Sequence, residues 1–321
     1  MKRVLFILGL FVAIYGFGIP GVIQAQPFPN RPIQLIHSGT PGQMMDIPCR
    51  IFGEELAKIL GTQVIVTAKP GASHTLGVDF VVRSKKDGYT VLYSTGTSLV
   101  YAPITSPKIV PYDPFKDLEV LGGQVILPYT ISVQAESPWK TFGELVDYAK
   151  KNPGKLRFGA VGPSGGENFS REIIRAQTGA EFTLAPLSQH PAVSLLGGHI
   201  EVTATPISEV HSYASSGKVR ILLLAAKMNK FPNIPTMREL GYSQDILVAW
   251  HAWFAPAGIP EEAKKVLVPA IKKAMENPEV KAKIENLALG VDYKTPAEFR
   301  KLWEAEYQRG KEIAAKLGLF K

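Results

Sequence analysis

The stretch IQLIHSGTPGQMMDIPCRIFGEELAKILGTQVIVT, residues 33–67, sets the pattern for the rest of the chain. Ile33 to His37 is a short apolar segment after Arg31-Pro32 and reads as a strand. Ser38-Gly39-Thr40-Pro41-Gly42 is a cluster of turn formers. From Ile47 to Leu60 the apolar residues Ile51, Phe52, Leu56, Ile59 and Leu60 recur at helical spacing, and Gly61 stops the run. Val64-Ile65-Val66 is β-branched and predicts a second strand. Beyond Lys69-Pro70-Gly71, the residues Val78, Val81 and Val82 predict a helix, and Asp87-Gly88 turns the chain into a third strand, Tyr89 to Tyr93. Strand, helix, strand, helix, strand predicts a parallel sheet with helices packed on its faces and right-handed crossovers.

The same alternation continues downstream. Val120 to Val133 is a long apolar stretch able to run from one lobe into another. Thr141-Phe142-Gly143-Glu144 has the form of a capping box, and its helix ends at Asn152-Pro153-Gly154. Leu156 to Val161 reads as a strand, followed by the loop Gly162 to Gly166 and a helix through Phe169, Ile173 and Ile174. Further strands are expected at Phe182 to Leu187, Ile200 to Ala204 and Val219 to Ala225. The C-terminal part is helical, with Thr295-Pro296-Ala297-Glu298 opening the last helix.

At the other end, Lys2 and Arg3 precede an apolar run, Val4 to Phe17, with Pro20-Gly21 after it and Ala25 at a cleavage position. That order is a secretory signal peptide, residues 1–25, and the run is shorter than the roughly 20 residues needed to span a bilayer. The expected location is the periplasm. Net charge is +8, with basic residues spread rather than banded, so no nucleic-acid footprint is read and a mild field favouring anionic solutes is. Cys49 is the only cysteine, reads as a small buried hydrophobe, and excludes an intrachain disulfide. The six histidines show no metal-ligand spacing, and neither a phosphate-binding P-loop nor a dinucleotide fingerprint is present. No metal or cofactor is expected.

Several segments, in order, resemble the substrate-binding proteins of the tripartite tricarboxylate transporters, the Bug family. They are Phe28-Pro29-Asn30-Arg31-Pro32-Ile33, Pro41-Gly42 with Asp46, Asp87-Gly88-Tyr89-Thr90, and Pro111-Tyr112-Asp113-Pro114 with Asp117. Asn152-Pro153-Gly154-Lys155-Leu156, Leu195-Leu196-Gly197-Gly198-His199-Ile200 and Phe254-Ala255-Pro256-Ala257-Gly258 follow. The resemblance covers nearly the whole mature chain. It implies a type II periplasmic binding protein: two doubly wound α/β lobes joined by two crossovers near residues 121–130 and 246–255. Lobe 1 is expected over 26–125 and 250–321, and lobe 2 over 126–249. The implied function is capture of a small organic acid, a carboxylate, in an interlobe cleft and delivery to membrane permease subunits, by a monomer that is not an enzyme.

Ligands of open α/β sheets sit beyond the carboxyl ends of the strands. The candidate residues are therefore Thr40, Gly42, Gln43, Met44 and Asp46 on the first loop, and Thr95 and Thr97 on the second. Ser164, Gly165, Gly166, Glu167 and Asn168 lie on the third, Ser188 and Gln189 on the fourth, and Thr205 on the fifth. Trp250 reads as crossover core and is kept as a cleft wall. The resemblance implies that the first and third loops meet ligand carboxylates through backbone N–H groups and water, as helix N-termini can. This chain departs from the family pattern at Gln43-Met44-Met45, Glu167-Asn168 and Leu187-Ser188-Gln189. Ser164-x-x-Glu167 reads as a capping box; as a cleft charge, Glu167 instead favours a monocarboxylate or an amino- or hydroxy-bearing acid over a tricarboxylate. Two other functions share these residues: a serine esterase with Ser164 in the G-x-S-x-G string Gly162 to Gly166 and Asp245 and His251 as partners, or a sensor for a membrane kinase.

Overall fold

A computed structural model describes residues 27–42, 44–161, 165–187 and 191–317. The signal-peptide reading, residues 1–25, lies outside the described residues. Among the described residues ten strands form: β1 (Ile33–His37), β2 (Val64–Ala68), β3 (Thr90–Thr95), β4 (Leu118–Gln134), β5 (Arg157–Ala160), β6 (Thr183–Pro186), β7 (Val202–Pro206), β8 (Val219–Leu224), β9 (Val248–Pro256) and β10 (Gly290–Val291). They join in the order β2-β1-β3-β9-β4-β7-β5-β6, with β8 and β10 also on β4.

Two sheets share one strand. At about 3.3 Å per residue, the 17-residue β4 reaches some 56 Å, long enough to serve both. Its first half pairs with β9 and β10, and its second half with β7 and β8. The first sheet is not wholly parallel, as the alternating pattern had predicted. β1, β2 and β3 are parallel, but β9 enters between β3 and β4 and is antiparallel to both. The reason is topological: β9 returns from the second sheet and enters the first from the junction, against the direction of β3.

Side-chain alternation along β9 serves two cores. Trp253 and Ala255 join Phe52, Leu56, Leu267 and Met275 on one face, while Trp250, Ala252 and Phe254 join Val78, Phe299 and Trp303 on the other. Helix Asp46–Leu60 buries Cys49, Phe52 and Leu56 on one stripe and ends at Gly61, whose φ of 62° is left-handed. The second sheet has its own core around Ile131, Phe142, Phe158 and Ile174. Near the middle of β4, Gly123 has φ +79°, and a Cβ there would stand 2.6 Å from both Met275 Sδ and the Trp253 ring, so only glycine lets the strand turn here.

Both cap motifs at the helices of 142 and 296 form. Thr141 accepts from the Glu144 N–H, but Glu144 reaches Lys140 N rather than Thr141 N, one residue further back than a strict box. Thr295 and Glu298 exchange bonds in both directions.

Candidate functional site

Register alone brings the carboxyl ends of four strands to one junction. Thr95, the last residue of β3, pairs with His251 of β9, which pairs with Val125 of β4. Four residues further along β4, Tyr129 pairs with Pro206, the last residue of β7, and Thr130 with Thr205. β1 runs parallel beside β3 and β5 beside β7, so the carboxyl ends of β1, β3, β5 and β7 all point to this crossing.

On the first-sheet side, the loop after β1 is tied down by Asp46. Its Oδ2 accepts from Gly42 N at 2.8 Å and Arg50 Nε at 3.1 Å, and its Oδ1 lies 2.9 Å from Arg50 Nε. Burial alone would raise the Asp46 carboxyl; the Arg50 guanidinium and the Gly42 N–H outweigh it and hold it below the ordinary carboxylate range. The expected open donor at Gly42 is therefore spent internally, because Asp46 occupies the helix N-terminus as an anion in its own right. Thr40 and Gly42 are exposed, Met44 is partly buried against the first core, and Gln43 lies outside the described residues.

Beneath this loop lies a polar cluster that the sequence did not announce. His37 Nε2 sits 2.8 Å from Asp46 Oδ1, outside hydrogen-bond alignment, and His74 Nδ1 is 2.8 Å from Ser38 O. The Ser38, Ser94 and Ser98 hydroxyls form a chain with spacings of 3.0 and 2.9 Å. The His251 ring stands edge-on to Tyr93, 5.2 Å between centroids, and its Nδ1, like the Tyr93 hydroxyl, has no hydrogen-bond partner among the described residues. Burial pushes His251 down to about 3, with His74 and His37 adding to the effect. His37 is likewise lowered, by burial above all, although Asp46 pulls the other way. Residues 37, 74 and 251 share no spacing, so only the fold assembles them. His74 also closes a run of left-handed residues, Ala72, Ser73 and His74, with φ of 46°, 53° and 69°. Such backbone in residues other than glycine costs on the order of 1 kcal/mol each and points to a function.

On the second-sheet side, helix Gly166–Thr178 starts at the junction. Its N-cap is Gly165, without a side-chain cap bond, and the Ser164 end of the capping box read at Ser164-x-x-Glu167 lies outside the described residues. Ser164, with Gly162 and Pro163, lies outside the described residues, as do Ser188 and Gln189. Glu167 folds back on its own turn: a Cβ on Gly165 would fall 2.3 Å from Glu167 Oε2. Gly166 packs under the Tyr129 hydroxyl and Leu247, leaving no room for a Cβ. Asn168 is buried and accepts from Arg171 Nε at 3.0 Å. Thr205 is fully buried with an unpartnered hydroxyl, Thr95 is buried, and Thr97 is exposed. Trp250 is buried and donates through Nε1 to Glu306. Tyr101 and Phe169, on helical segments of the two halves, pack with ring centroids 4.8 Å apart and planes tilted by 51°.

The esterase pair is not assembled. Asp245 accepts from Arg238 N and faces the Arg238 guanidinium, while His251 is buried with Nδ1 unpartnered. Among the described residues, no cluster of His, Cys, Asp and Glu is placed to hold a metal, and no helix is long and apolar enough to cross a membrane. Cys49 is fully buried and its thiol is pushed well up by burial, which fits a packing role.

Two α/β lobes that share crossing strands, with loops converging on their junction, define a periplasmic binding protein fold. The match at residues 49–319 to the family described as "Tripartite tricarboxylate transporter family receptor" places the chain more narrowly, and it belongs to that family, whose members are receptors rather than enzymes. A Cupriavidus necator protein, the "UPF0065 protein in gbd 5'region", is 32% identical, covering 98% of this chain and 96% of its own. The solved periplasmic binding protein BugD superposes with TM-score 0.74 at 26% identity, over 92% of this chain and 100% of that one. An R. palustris protein solved with adipate shares the fold, with TM-score 0.76 at 21% identity, over 91% and 98%.

Proposed function

We propose that this chain captures a small organic acid in the periplasm, in the crevice where its two sheets meet, and hands it to the membrane subunits of a tripartite transporter. The lobes are 26–125 with 250–321 and 126–249, and they close on the ligand about the two crossovers, as a monomer. The observation that carries this reading is the convergence of the β1, β3, β5 and β7 loops on one junction, with buried unpartnered hydroxyl and imidazole groups beneath it. Family membership supports it, and so does the adipate bound by the R. palustris protein.

The favoured ligand carries one carboxylate and, at the other end, a hydrogen-bond donor. Glu167 places a carboxyl at the mouth of the second lobe, where a second ligand carboxylate would be repelled. Two unit charges 4 Å apart interact by about 1 kcal/mol in water and about 4 kcal/mol near a protein surface, so a preference of roughly tenfold or more is expected. Titration calorimetry with adipate and with 6-aminohexanoate, its analogue bearing one ammonium, tests this. The expected result is tighter binding of 6-aminohexanoate, with the preference lost in Glu167→Gln. Nanomolar citrate or adipate binding indifferent to residue 167 would overturn the ligand class, and the absence of binding across a panel of organic acids would overturn the receptor site itself.

A further inference from the structure

A cavity lies beside the crossovers, next to the second and third loops: Trp250 and Leu247, two of its walls, pack against Gly96 and Gly166. It encloses about 380 Å³, and none of residues 37–46, 95–97, 165–168 or 205 lines it. Its apolar walls come from both halves of the molecule: Phe169 and Ile173 from the helix on the second sheet, Leu302 and Ile313 from the C-terminal helix Pro296–Leu317. Volumes of this size, mostly apolar with a few convergent polar groups, are typical of small-ligand sites.

Three polar features give the cavity its chemistry. Gln124 is 4% exposed, and its Oε1 is buried without a partner, an acceptor waiting for a donor. Leaving such a group unpaired in the interior is costly, and a bound donor recovers that cost. Glu306 accepts from the Tyr101 hydroxyl at 2.7 Å and from Trp250 Nε1, so both its oxygens are committed. Removal from water raises the Glu306 carboxyl, against the opposing pull of its two donors and of a cationic neighbour. That neighbour is Arg309, on the rim, which makes no hydrogen bond or ion pair among the described residues. The other rim charges are spoken for: Arg238 faces Asp245 at 3.4 Å, and Asp292 holds Lys294 at 2.7 Å.

We propose that this cavity is a second ligand site, for a small aromatic or branched carboxylic acid bearing a hydroxyl or amino donor. The carboxylate meets Arg309, the apolar body lies between Phe169 and Ile313, and the donor reaches Gln124 Oε1. A hydroxylated monocarboxylate also suits the interlobe cleft, so the two sites are told apart by where the acid sits and by which variants weaken it.

The test is titration calorimetry with 4-hydroxyphenylacetate, and with phenylacetate, which lacks the donor. Wild type is expected to bind 4-hydroxyphenylacetate at least tenfold more tightly than phenylacetate. Arg309→Gln is expected to weaken both about tenfold or more, and Gln124→Met to weaken only the hydroxylated acid, erasing the discrimination. In a crystal structure of the complex, the acid is expected between Phe169 and Ile313 with its carboxylate on Arg309. Arg309 is exposed, so its variant does not threaten the fold, and it carries the test if Gln124→Met proves unstable. Binding that survives Arg309→Gln, or a complex in which the acid occupies only the interlobe cleft, would overturn the proposal. So would the absence of wild-type binding at millimolar acid.

Discussion

Acid should unfold this protein partly through one imidazole. His251 is 5% exposed, and its folded-state value is pushed down from 6.5 to about 3, with Tyr93 against its ring and His37 and His74 nearby. In the folded chain it is neutral throughout the working range; in the unfolded chain it takes up a proton below 6.5. Stability owed to it is therefore intact above pH 7 and falls as the pH drops from 6.5 toward 3. At pH 5.0, one and a half units into that window, the loss is about 2 kcal/mol, since each unit is worth about 1.4 kcal/mol. His37 shifts in the same direction and adds to the slope. Urea denaturation at pH 7.5 and 5.0, for wild type and His251→Phe, reads the difference. With a slope near 3 kcal/mol per molar urea, the wild-type midpoint should fall by about 0.7 M more than that of the variant. The comparison is made within each protein, so any packing penalty of phenylalanine cancels. Equal acid losses in the two proteins would refute the claim that His251 is buried uncharged.

Other perturbations have sizes set by the same contacts. Gly123→Ala forces a Cβ into Met275 and Trp253 at positive φ and should cost about 2–4 kcal/mol, read as a lowered melting temperature. Phe158→Ala empties a fully buried position in the second core and should cost about 3–5 kcal/mol in urea unfolding. Asp46→Asn should cost about 1–3 kcal/mol at neutral pH, because Gly42 N and Arg50 lose an anionic partner. Because the Asp46 carboxyl is lowered in the fold, its contribution is present above the ordinary carboxylate value and lost below it, so the variant should also show a flatter acid limb below pH 4.

The sequence was most legible where local periodicity decides structure. Ile33–His37 forms the strand its apolar run predicted, and Asp46–Leu60 forms the helix that Phe52, Leu56 and Gly61 announced. It was less legible where the decision is made at a distance. Nothing in Val248–Pro256 states that this strand wedges between β3 and β4, and so the parallel sheet became a mixed one. Site residues fared similarly. The loop after β1 was recognisable from its turn formers, but the capture of Gly42 N by Asp46 depends on how the helix starts. The histidines at 37, 74 and 251 meet only after the chain has visited both sheets and returned, and no spacing rule could pair them.

The placement of β9 also governs the order in which the molecule can be finished. Residues 27–247 contain every strand of the second sheet, so that half can assemble before the C-terminal segment is in place. The first sheet cannot. Until residue 256 is available, β3 and the front of β4 have an unfilled slot between them, each with an unsatisfied edge. A chain halted before that point holds one completed half and one waiting half. That window, rather than the mature protein, is where stray strand pairing and aggregation would begin.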